Sequence, residues 1–92
     1  MKNMEVSALI LDYTLYPRCE VDSQHVSYMV ESIKAGVELP PIVIDEKSLR
    51  VVDGFHRITA VKRHSGDTGK IKAVMKNYDS DSDIFVDAMR YN

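Results

Sequence analysis

Apolar residues recur along this chain at two spacings. From Val26 they fall at Val26, Met29, Val30 and Ile33, the i, i+3, i+4, i+7 pattern of one helical face. Asp22 stands at the N-cap position, Val21 and Val26 can close a hydrophobic staple across it, and Gly36 stands where a helix stops. The spacing predicts a helix over residues 23–35. Residues 70–78 alternate instead, with Ile71, Ala73 and Met75 against Lys72, Val74 and Lys76, which predicts a strand with one buried face. Shorter apolar runs predict a first strand over residues 6–11, a second over 42–45 after Pro40-Pro41, and a return strand over 49–52, with Glu46-Lys47-Ser48 as the hairpin turn. A second helix is expected over residues 55–64, a loop over 65–69, and a last helix over 82–91 behind a Ser80/Asp83 capping box. The order strand, helix, hairpin, helix, strand, helix predicts an α+β fold: one domain over residues 1–92, with a mixed sheet of about four strands and three helices.

The junction of the return strand with the second helix changes the picture from fold to chemistry. Asp53-Gly54-Phe55-His56-Arg57 places a glycine turn at a helix N-terminus, with His56 and Arg57 in the first helical turn. Helix N-termini carry unsatisfied N–H groups and a partial positive charge, so they suit phosphate. Gly54 permits close backbone approach, Arg57 supplies a bidentate fork, and His56 supplies an imidazole. Thr59 adds a hydroxyl. Phe55 is expected to pack the helix start onto the sheet. Asp53 carries three readings: a metal ligand, a catalytic base, or a carboxylate that pins the turn.

Charge sharpens this reading. The net charge is −2, but residues 50–76 hold seven basic and two acidic side chains, whereas the rest holds five and twelve. A sign split of this kind can mark the side that meets an anion; its plain alternative is lysines that solvate a helix and an edge strand. The acidic run from Asp79 to Asp83 lacks the glycine and distal glutamate of a calcium loop. His25, His56 and His64 lack the short spacing of a metal site. One cysteine, Cys19, excludes an internal disulfide and suits a cytoplasmic location. No secretory leader or membrane-length apolar run is read in the chain.

Several landmarks then occur in the order seen in the ParB/sulfiredoxin superfamily, which the chain resembles from Leu9 to Tyr91. Tyr16-Pro17-Arg18 resembles the Pro-x-x-Pro-Arg region. Residues 30–36 resemble a helix ending in Ser-Ile-Lys-x-Gly, and residues 39–44 the strand that follows. Gly54-Phe55-His56-Arg57 sits where partition proteins carry Gly-Glu-Arg-Arg and sulfiredoxins carry Gly-Cys-His-Arg. The resemblance implies a small ParB/sulfiredoxin-like domain that binds nucleotide phosphates at Gly54, His56, Arg57 and Thr59, with Arg18 as a second cation. It implies ATP, ADP or CTP as ligand, with Mg2+, and DNA or a DNA-binding protein as partner. It leaves the oligomeric state open.

The departures narrow the chemistry. Phe55 replaces the sulfiredoxin nucleophile, which excludes sulfiredoxin activity. Only Arg57 of the partition-type basic set is retained, and the partition-type Glu-Asn pair of the last helix is absent. Asp53-Gly54-Phe55-His56-Arg57 is closest to the Asp-Gly-x-His-Arg pattern of small ParB-like kinases. Such an enzyme needs a carboxylate base, for which Asp53, Glu20 and Asp22 are the candidates. Three functions follow: a nucleotide- or phosphate-binding module related to DNA partition, an ATP- or ADP-dependent phosphotransferase or nucleotidase, and a nuclease-like nucleic-acid-binding domain.

Overall fold

The computed structural model describes residues 1–12 and 22–91. In chain order the elements are β1 (Lys2–Glu5), α1 (Ser23–Lys34), β2 (Ile42–Asp45), β3 (Val51–Asp53), α2 (Phe55–Ser65), β4 (Lys70–Lys76) and α3 (Asp81–Arg90), with short 3-10 turns at Val6–Ala8 and Gly66–Thr68. The strands form one mixed sheet in the order β1-β4-β2-β3. β1 runs antiparallel to β4, β4 parallel to β2, and β2 antiparallel to β3. The fold is α+β, as the pattern predicts.

β2 is the central element. All four of its residues are buried, because both faces of the sheet are covered at that point. Ile42 and Ile44 point to one side, into the main core with Val51, Phe55, Ile58, Val61, Ile71 and Ala73. Val43 points to the other, where it meets Val52 of β3 and Ile84 and Ala88 of α3. α1 packs on α2 through Val26, Val30 and Ala60. Successive residues of a strand face opposite sides, so one short run of sequence supplies two cores.

The N-terminal strand differs from the expectation. The apolar run at residues 6–11 is not a strand: Val6–Ala8 is a 3-10 turn, and Val6 and Leu9, three residues apart, drop into the main core. The strand is the polar segment before it, with Lys2 opposite Ala73 and Glu5 opposite Lys70. An edge strand exposes most of its side chains, so polar residues suit it. Of the run itself, Ile10 makes a single parallel bridge to Arg50. The return strand also starts later than expected. Leu49 sits at φ 61°, still part of the turn, which the buried Asp45 organises by accepting from the Ser48 N–H at 3.1 Å and the Ser48 hydroxyl at 2.5 Å.

The helix caps follow the sequence closely. Asp22 Oδ1 accepts from the N–H groups of Gln24 (3.0 Å) and His25 (3.2 Å). Gly36 follows α1 at φ 83°. Ser80 Oγ accepts from the Asp83 N–H at 3.2 Å, the forward half of the expected capping box. The staple residue Val21 lies outside the described residues.

Candidate functional site

Gly54 joins β3 to α2 at φ 118°, a region that favours glycine. A second constraint is packing. A Cβ at this position would lie 2.9 Å from the Cβ of Ile42, inside contact distance. The turn is therefore pressed against the central strand, and only glycine fits. Phe55 follows, 3% exposed in the main core, and anchors the helix start as expected.

With Phe55 turned inward, the flanking side chains line a depression of about 300 Å³. Asp53, Gly54, His56 and Arg57 contribute from the turn, His25 and Met29 from α1, and Tyr91 from the end of α3. Gly54 offers no side chain to cap α2. The helix thus begins beside this depression with its positive dipole end.

Arg57 has three acceptors. Its guanidinium donates to the carbonyls of Pro40 (3.0 Å) and Pro41 (2.6 Å), and to Asp53 Oδ2 at 2.8 Å. Its side chain is 15% exposed and that of Asp53 27%. The arginine ties the connector before β2 to the turn after β3. This ion pair, rather than a backbone N–H, is what Asp53 binds among the described residues, so the carboxylate pins the turn through Arg57.

His56 reaches the other way. Its Nε2 accepts the backbone N–H of Asp22 at 3.1 Å, which requires an unprotonated nitrogen and leaves the ring proton on Nδ1. The His25 ring lies edge-on at 5.1 Å between centroids. Burial, then the charge of His25, push the His56 pKa below the ordinary imidazole value, against a smaller opposing pull from Asp22. A neutral His56 couples the first turn of α2 to the cap of α1.

The remaining predicted residues fall as follows. The Thr59 hydroxyl donates to the Phe55 carbonyl at 2.8 Å, within its own helix. Arg18, with Cys19 and Glu20, lies outside the described residues. Asp22 is committed to capping α1. Among the described residues, no three His, Cys, Asp or Glu side chains group as a metal site. The basic segment does not present one face of free cations: Arg50 pairs with Asp81, Arg57 with Asp53, Lys72 with Glu38 and Lys76 with Asp87. The sequence does not place His25, Met29 or Tyr91 beside the Gly54 turn, where the structure brings all three. Neither Met29 nor Tyr91 carries a local signal; they arrive through the packing of α1 and α3.

A second polar cluster ties α3 to β4. Asp87 accepts from the Tyr78 hydroxyl in a short hydrogen bond and from Lys76 Nζ at 2.9 Å. The Tyr78 bond, with Lys76, holds the Asp87 carboxyl below its usual range, while burial and then Asp87 push the Tyr78 phenol up.

The chain is a mixed four-stranded sheet with a glycine-turned helix behind its third strand. The family model described as the ParB N-terminal domain matches residues 2–90. The chain belongs to the ParB N-terminal domain family. A comparison with curated proteins finds no match. Among the described residues, no helix is long and apolar enough to cross a membrane.

Proposed function

We propose that this chain is a nucleotide- or phosphate-binding module related to DNA partition, and that the phosphate is held at the Gly54–Arg57 helix start. The observation that carries this reading is the Gly54 turn itself: a left-handed glycine, packed on β2, opens α2 onto a depression lined by His25, His56 and Arg57. Membership of the ParB N-terminal domain family supports a partition-related role with DNA or a DNA-binding protein as partner. Backbone dipoles supply much of the anion attraction in this reading, because Arg57 shares its charge with Asp53 and His56 is neutral. The Asp53–Arg57 pair favours binding over turnover, since a base must offer its carboxylate to an acceptor hydroxyl.

The test is calorimetric titration of ATP, ADP and CTP with Mg2+, alongside amide shift mapping of the same samples. Binding with shifts at residues 52–57 and at His25 and Met29 is expected. His56→Gln, which keeps a side-chain acceptor for Asp22, should weaken it with the amide spectrum of the fold intact. Absence of heat and of shifts with all three nucleotides would sink the reading.

A further inference from the structure

β4 is longer than its partner on the β2 side. Its seven residues run from Lys70 to Lys76, but β2 pairs only with Ala73 through Lys76. Alongside residues 70–72 the preceding connector forms no ladder. Pro40 and Pro41 have no N–H to donate, and their carbonyls are turned to Arg57. No backbone bond joins residues 37–41 to residues 70–72 among the described residues.

A half-open cavity of about 330 Å³ lies at this place. Ile33, Leu39, Val61 and Ile71 form its apolar wall; Val61 and Ile71 are buried, and the other two pack on the same core. Lys70 and Lys72 flank Ile71 and are exposed. Strand alternation sends Ile71 to the core side and the two lysines to the other. Lys72 already holds one carboxylate, Glu38, at 2.5 Å. Lys70 makes no ion pair with a described residue, and Glu5 opposite it takes the Ser7 hydroxyl instead.

We infer that residues 70–72 of β4 receive an extended peptide by strand addition, and that the peptide alternates acidic, apolar, acidic. Main-chain bonds to the unpaired side of β4 supply the affinity of such a mode, and alternate side chains supply its specificity. The apolar residue beside Ile71 enters the cavity. The two acids fall on the lysine face, one taking Lys70 and the other replacing Glu38 on Lys72. The volume equals that of about eleven waters at ~30 Å³ each, enough for a short apolar side chain and its backbone.

The probe is acetyl-Glu-Val-Asp-Leu-Glu amide, titrated into the full chain labelled with 15N. Saturable shifts confined to residues 33, 37–39, 61 and 70–72 are expected, with slowed amide exchange within 70–72. Lys70→Glu, at an exposed position, should weaken binding at least tenfold and leave the spectrum otherwise unchanged. A peptide with lysines for its acids, or one N-methylated through its centre, should not bind. Three results overturn the inference: no saturable shift at millimolar peptide, equal binding of the N-methylated peptide, or shifts centred on the exposed Phe85 and Met89 of α3.

Discussion

Substituting Gly54 by alanine tests the geometry of the turn directly. Two costs add. Placing a Cβ at φ 118° strains the backbone by roughly 1–3 kcal/mol. Forcing that Cβ to 2.9 Å from Ile42 Cβ overpacks the sheet by a further ~1–3 kcal/mol, because β2 is buried on both faces and cannot retreat. The sum, about 2–6 kcal/mol, compares with a total stability of about 5–14 kcal/mol for a domain of this length. At roughly 4–8 °C per kcal/mol, melting should fall by at least ~8 °C. Gly36→Ala is the internal control: φ is 83°, but no atom lies within 4 Å of the added Cβ, so only the strain applies. Urea unfolding of both variants beside the wild type gives the comparison. Gly54→Ala that costs no more than Gly36→Ala would refute the packing of the turn on β2.

Other expectations follow from the same contacts. Arg57→Ala should cost about 2–4 kcal/mol in urea unfolding, since two carbonyls and Asp53 lose a charged donor; a loss below ~0.5 kcal/mol would show the three bonds to be incidental. His56 has a folded pKa below its unfolded value near ~6.5, so the unfolded chain binds the extra proton first, and stability should fall as pH drops below about 6.5. Urea midpoints at pH 7.5 and 5.5 should differ in the wild type and converge in His56→Gln; an unchanged difference would assign the effect elsewhere. Tyr78→Phe should raise the Asp87 pKa, read by carboxyl carbon titration, and cost about 1–2 kcal/mol; an unmoved Asp87 would mean that Lys76 alone sets it.

The elements that the sequence reveals are those whose signal is local. Residues 42–45 form an apolar run between two prolines and a polar turn, and β2 occupies those residues. Asp22 and Gly36 announce α1 because capping acts within a few residues. β1 was invisible for the opposite reason. Lys2–Glu5 is a strand only because β4 lies beside it, and nothing in its own polarity says so. The candidate site divides along the same line. Gly54 is read from its position in the turn, but the Pro40 and Pro41 carbonyls that occupy Arg57 belong to a connector 16 and 17 residues earlier. His25 meets His56 only because α1 packs on α2.

The pairing of the first strand with the fourth also sets an order of events in folding. Lys2 meets Ala73, so β1 has no partner until residues 70–73 have been made. The β2–β3 hairpin and α2 are close in sequence and can assemble while β4 is still being made, since short loops close sooner than long ones. β1 therefore docks only after β4 has been made, onto a β4 set beside β2. A chain lacking residues 1–5 would keep its central strand and both helix layers but expose residues 70–73 on the outer edge of β4, a template for pairing with another molecule. The four residues of β1, three of them polar, act as a guard on that edge, and the interval before they dock is when newly made copies are most prone to aggregate.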